Sequence, residues 1–362
     1  MHAPRFVFPI VSTILLALAL VGPAAARSSG QAALYVGEVP AEPLPVADAD
    51  PLDGRAEPLP PLLAALNQVL VRVTGQVGAD LVAELGIDRA EALSLSLARQ
   101  YREVEVPMDD RAARLERRLR VDFDPIAIDR RLDDAGLARW GRERPEMLLW
   151  IAEEGPGGAQ YLEPDPQLNH SLDQAMFRYG LSITRPILDA FDRIEVTPSD
   201  IRGGFAGLTD AARERYGADG VILLDLRQGP RYWTGRWVWR LGDLEFGFAR
   251  SGATPEEVVE LGIARIAAAL AARFAVRPDV AERRRLVVSG IDRPIHYAEV
   301  RGFLAGLTGV ESVRLLGAAG STLTFELDSS ANGLQQRIEL SGPLRFERHD
   351  LASGTLYYAL AL

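Results

Sequence analysis

The chain has 362 residues, 48% of them hydrophobic, and a formal net charge of -10. That length carries two or three cored domains, and that charge argues against a general binder of nucleic acid or anionic lipid. Cysteine is absent and all 40 basic residues other than histidine are arginine, which excludes disulfide scaffolds, thiolate metal sites, cysteine nucleophiles and lipoprotein acylation together.

Residues 1–26 read as a signal peptide. Arg5 supplies a weakly positive start, Ile10 to Val21 is an apolar stretch too short to span a bilayer comfortably, and Ala24-Ala25-Ala26 offers the small residues a signal peptidase needs. Cleavage is expected before Arg27. The mature chain is then an exported protein, periplasmic in a Gram-negative host, and no later run is apolar enough to cross a membrane.

Residues 27–143 are predicted as an α+β domain. Gln31 to Val39 has strand character, and Pro40 to Pro61 is an acidic, proline-rich insert. A helix over Leu62 to Val73, with Leu63, Leu66, Val69, Leu70 and Val73 apolar, is stopped by Thr74-Gly75. A second helix is predicted over Ala79 to Leu95, kinked near Gly86. Tyr101 to Val106 and Leu115 to Phe123 alternate as a hairpin around Met108-Asp109-Asp110-Arg111, and Ile126 to Trp140 closes the region as a helix.

Residues 144–278 are predicted as an α/β domain. Met147 to Ala152 is a buried strand, followed by a loose loop over Glu154 to Pro166 and a helix over Leu168 to Tyr179 capped by Gly180. Leu181 to Leu188 is expected to be a strand, and Ser199 to Tyr216 to hold one or two helices. Gly217 suits a helix C-cap, and Val221-Ile222-Leu223-Leu224 is an apolar run without alternation, as in strands covered on both faces. After Gly229-Pro230 the period becomes two: Trp233, Trp237, Trp239 and Leu241 share one face, Arg236 and Arg240 the other. Thr254-Pro255-Glu256-Glu257 reads as a capping box opening a helix to Phe274. The strand–helix alternation ending in a hairpin argues a mixed α/β sheet.

Residues 279–362 alternate as strand Leu286 to Ile291, helix Tyr297 to Leu307, strands Val310 to Leu316 and Thr322 to Leu327, helix Asn332 to Leu340 and strand Leu356 to Leu360. That β-α-β-β-α-β order predicts a ferredoxin-like domain.

Several short motifs together resemble a proteobacterial family known as domain of unknown function 2066. They are Leu34-Tyr35-Val36, Leu70-Val71-Arg72-Val73-Thr74-Gly75, Gln100-Tyr101-Arg102, Leu119-Arg120-Val121-Asp122-Phe123-Asp124, Arg144-Pro145 with Trp150, Arg215-Tyr216-Gly217-Ala218-Asp219 and the tryptophan hairpin. The central region is more distantly similar to the α/β domains of the TolB amino-terminal part and of curli-secretion-type lipoproteins. The resemblance implies a fold and no activity, so no catalytic residue is carried over.

Candidate chemistry is sparse. His170 with Asp173, and His296 with Glu299, each place one carboxylate on a possible helix face, and His349 stands apart. None has a second histidine at zinc-motif spacing, so no metal and no cofactor are expected. No Gly-x-Ser-x-Gly elbow is present. Asp189 and Asp192 flank Phe191 and could be paired acids of a hydrolase, or polar residues of an ordinary loop. Glu153 and Glu154 point apart on a strand, and Gly203-Gly204 lacks the spacing of a phosphate loop. Trp233, Trp237 and Trp239 are the candidate binding residues: they could stack sugar rings or a partner, or pack beneath the Thr254 to Phe274 helix. The sequence therefore predicts a non-enzymatic envelope protein that binds another envelope protein or a cell-wall polymer. A glycan-binding module and a periplasmic hydrolase are the alternatives.

Overall fold

The computed structural model describes residues 33–42, 59–108, 111–162, 165–277, 281–330 and 333–361. The predicted signal peptide, most of the acidic insert and the expected turn at 109–110 lie outside the described residues. The described chain is a mixed α/β protein with eleven α-helices and three sheets.

The first sheet has the order β1-β3-β2, formed by β1 (Val36–Pro40), β2 (Ser96–Met108) and β3 (Arg111–Phe123), all antiparallel. Helix α1 (Pro61–Thr74) packs on it, starting at a proline and ending at Gly75, whose φ of 72° suits the left-handed cap. The approach of β1 to α1 is so close that a Cβ on Gly37 would fall 2.3 Å from the Ala65 carbonyl oxygen. The single kinked helix predicted over 79–95 is two, α2 (Leu81–Glu84) and α3 (Arg89–Ser94), because Asp80 and Asp88 each cap a separate start. Helix α4 (Pro125–Asp134) ends short of Trp140; Gly136, at φ 67°, turns the chain out.

The central sheet has the order β5-β4-β7-β8-β9, with β6 paired to β4. Its members are β4 (Glu146–Gly155), β5 (Gly158–Tyr161), β6 (Ser182–Thr184), β7 (Gly220–Gln228), β8 (Trp233–Leu241) and β9 (Leu244–Gly252). Strands β4, β6 and β7 are parallel, and the remaining pairs antiparallel. On one face Met147, Leu149, Ile222, Leu224 and Trp237 meet α5 (Pro166–Tyr179) and α9 (Pro255–Phe274). On the other, Leu148, Trp150, Val221 and Leu223 meet α6 (Ala190–Glu195), α7 (Pro198–Gly203) and α8 (Asp210–Arg215). Each of Val221 to Leu224 is at most 1% exposed, so this strand is covered on both sides.

Three local readings are corrected. The loop expected over 154–166 contains β5, which hairpins back onto β4, and the strand expected over 181–188 is only the three residues of β6. At α9, Thr254 accepts from the Glu257 N–H at 3.3 Å, but Glu257 Oε2 accepts from Ala253 N–H rather than from Thr254, so the capping box is not closed.

The third sheet has the order β11-β12-β10-β14-β13. It comprises β10 (Ala281–Ser289), β11 (Val310–Ala319), β12 (Thr322–Ser330), β13 (Leu344–Asp350) and β14 (Thr355–Leu360), with α10 (Pro294–Gly306) and α11 (Leu334–Ser341) between them. The ferredoxin-like order is not what is seen. Strand β13, masked in the sequence by Arg345, Glu347 and Arg348, adds an edge, and β14 runs parallel to β10.

Residues 139–144 connect all three sheets. Arg139 and Val276 exchange backbone hydrogen bonds, Trp140 N–H donates to Val73 O at 2.6 Å, and the buried Glu143 accepts from Thr308 N–H at 2.9 Å. Gly141 lies against Thr308, where a Cβ would meet its hydroxyl at 1.8 Å. Arg144 donates to the carbonyls of Arg72, Trp140, Gly141, Tyr179 and Gly180.

Candidate functional site

The two acids proposed as a pair do meet, through a cation. Asp189 caps α6, accepting from the N–H groups of Phe191 and Asp192 at 3.0 and 2.9 Å. Arg215, in the last turn of α8, donates to Asp189 at 2.5 and 3.0 Å and to Asp192 at 2.7 Å. Asp192 is fully buried, and its other oxygen accepts from Tyr216 Oη at 2.7 Å and Leu188 N–H at 3.0 Å. Leu188 holds a positive φ of 54°, pinned by that bond and by Arg193, which donates to its carbonyl. Hydrogen bonds from Arg215, then from the Asp192 backbone, hold the Asp189 carboxyl well below the usual carboxylate range. A general acid at neutral pH needs the opposite displacement. This cluster ties α6 to α8 near the amino end of β7.

The other candidates are scattered. His170 faces Gln174 across 2.6 Å, and Asp173 pairs with Arg185 instead. His296 is buried with Asp292 2.9 Å from Nδ1 and Arg293 donating to Nε2, so the expected Glu299 partner is replaced. His349 is exposed on β13. Among the described residues no group of three potential ligands converges on a metal position.

The tryptophans on β8 divide. Trp237 and Trp239 are 0% and 3% exposed, stacked on Phe248 and Phe246 across the hairpin with centroids 6.0 and 5.0 Å apart. Trp237 lies under α9 at Gly262, where a Cβ would fall 2.1 Å from the indole. Neither ring offers a free face for stacking a sugar; Trp233 is half-buried.

A charged cluster that sequence reasoning did not assign lies on the α7 side of the sheet, at the carboxyl ends of β4 and β7. Pairing aligns Tyr161, Ala152, Asp225 and Arg236 in one row. Asp225 is 2% exposed and accepts from Arg227 Nε at 2.9 Å, with Arg227 Nη2 2.8 Å from the same oxygen and Arg202 Nε 3.6 Å from the other. Arg202 also holds Glu154 at 2.6 Å. Arg236 is exposed, near the left-handed cap Gly204 at the end of α7. Two guanidiniums, of Arg202 and Arg227, thus hold one buried and one half-exposed carboxylate, and Arg236 is the cross-strand neighbour of Asp225. Such a group suits recognition of an oxyanion better than proton transfer. The sequence signal was available: a carboxylate closing the buried run Val221 to Leu224 is costly without partners.

Comparison with known proteins adds little chemistry. A family described as a domain of unknown function (DUF8605) matches residues 59–141, the stretch from α1 through α4. This overturns the resemblance to domain of unknown function 2066, and no likeness to the TolB domain is found. No curated protein matches. A solved structure of a competence-damaged protein (CinA) superfamily protein from Enterobacter cloacae is 15% identical over 41% of this chain and 88% of that chain, with a TM-score of 0.21. No helix among the described residues is long and apolar enough to cross a membrane.

Proposed function

We propose that the protein is a non-enzymatic binding protein, exported to the periplasm, that recognises an anionic envelope polymer or the acidic surface of an envelope protein. One observation carries this reading: Arg215 bridges Asp189 and Asp192, so the acid pair that hydrolysis would require is engaged within the fold. The arginines at Asp225 then supply the charge for recognition, with Arg227 and Arg236, the cross-strand neighbour of Asp225, both exposed. The leader sequence supports export.

The test is co-sedimentation of the purified protein with isolated cell-wall sacculi and capture of crosslinked partners from intact cells. Retention in either assay that falls at least about tenfold in Arg236→Glu supports the reading; one broken charge-assisted contact corresponds to about that factor. Turnover in a broad hydrolase screen that is abolished in Asp189→Asn would replace it with the hydrolase.

A further inference from the structure

We infer that β2 is the interface for a second copy of this chain, joined edge to edge in an antiparallel pair centred on Tyr101. This goes beyond the binding reading and does not depend on it. Strand β2 is 13 residues long and, among the described residues, has a strand neighbour on one side only. Although α5 comes close to β2 from the central sheet, residues 97–103 are all exposed, including Leu97 at 68% and Tyr101 at 59%. An uncovered edge of this length is a template for another strand.

The side chains say which strand fits. Register with β3 puts Arg99, Tyr101 and Glu103 on one face of β2, opposite Val121, Leu119 and Arg117. Among the described residues no ion pair engages Arg99 or Glu103, whereas Arg102 on the other face is held by Glu38. Positive charge therefore precedes Tyr101 and negative charge follows it. A second copy reversed about Tyr101 sets Arg99 of each strand against Glu103 of the other, twice, and places the two tyrosines opposite each other. Moving the centre to Arg102 would face that arginine with itself, and moving it to Gln100 would leave Arg99 opposite Tyr101. Only the Tyr101-centred register pairs both charges. Irregular positions near Leu97 and Pro107 bound the regular stretch available for pairing.

The native chain has no cysteine, so a single introduced thiol reports the contact without background. Cβ atoms of residues directly opposite in an antiparallel pair lie about 4.5–5.5 Å apart, so a small approach of the strands brings them to the roughly 3.5–4.5 Å of a disulfide. Oxidation of Tyr101→Cys is expected to give a covalent dimer, while Leu115→Cys, exposed on β3, stays monomeric. In sedimentation equilibrium the purified protein is expected at twice the mass its own denatured chain shows. Glu103→Arg is expected to weaken dimerisation at least about tenfold, and Arg99→Glu with Glu103→Arg to restore it. A monomer at all concentrations, equal crosslinking of the two cysteine variants, or a charge reversal that the double variant does not repair would each overturn the inference.

Discussion

Arg144 lies with its guanidinium carbon 3.9 Å from the centre of the Trp140 ring. The same guanidinium donates to five backbone carbonyls drawn from the first sheet's helix, the central unit and the segment between them. Burial, and then the neighbouring Arg72 charge, push its pKa down to about 9, so at neutral pH it remains a cation in this setting. The planar fork is what lets one side chain reach carbonyls in several directions.

Arg144→Ala should cost on the order of 3 kcal/mol, because the carbonyls lose charge-assisted donors. Arg144→Lys should recover only a minor part, since an ammonium lacks the fork. Urea denaturation followed by far-UV circular dichroism checks both. Equal stability of Arg144→Lys and the native chain would show that charge alone is sufficient.

Acid should attack the α6–α8 contact. The Asp189 carboxyl sits below its ordinary value of 3.8 in the folded chain. Its contribution is therefore complete above about pH 4 and is lost as pH falls through the lower folded value. The urea midpoint of the native chain should drop along that limb, and Asp189→Asn should show a flatter acid limb. A parallel limb in the variant would assign the acid sensitivity elsewhere.

Iodide should quench little of the tryptophan emission. Trp140, Trp150, Trp237 and Trp239 are between 0% and 3% exposed, leaving the half-buried Trp233 as the accessible ring. Trp233→Phe should abolish most of the quenchable fraction while leaving stability within about 1 kcal/mol. Substantial quenching that survives in the variant would place a second indole in water.

Gly262→Ala should destabilise by about 1–3 kcal/mol, although alanine is the better helix former. The added methyl would sit 2.1 Å from the Trp237 ring, so either α9 or the indole must shift. Thermal melts and the near-ultraviolet circular dichroism of the tryptophans report both. Stabilisation would mean that the groove beneath α9 has slack.

Much of the central architecture was legible because its signals are local. The run Val221 to Leu224 has no alternation and lies between layers, and Gly217 and Gly180 carry the positive φ their positions suggested. Legibility failed where polar sequence hides structure. Strand β13 reads as Leu-Arg-Phe-Glu-Arg-His-Asp, an edge whose outer face is charged, and charge there obscures the strand pattern. The short helix α6 has one local signal, the capping Asp189, and that residue reads from the sequence as a loop aspartate or one of a pair of acids rather than as a helix start. Asp225 itself is signalled by its place at the end of a buried run, but the group around it is not legible. Its members come from four elements, and only the pairing of β4, β7 and β8 brings Ala152, Asp225 and Arg236 into line.

The segment Arg139 to Arg144 has almost no regular structure, yet the first helix, the long helix behind the tryptophans and the third sheet each fasten to it. A mutation there should be felt everywhere, so dividing the chain near residue 143 to obtain tidy fragments would leave each piece with a raw, unsatisfied seam. Heat and denaturant should accordingly dismantle the protein in one concerted step, with the weakest layer inheriting the endurance of its neighbours.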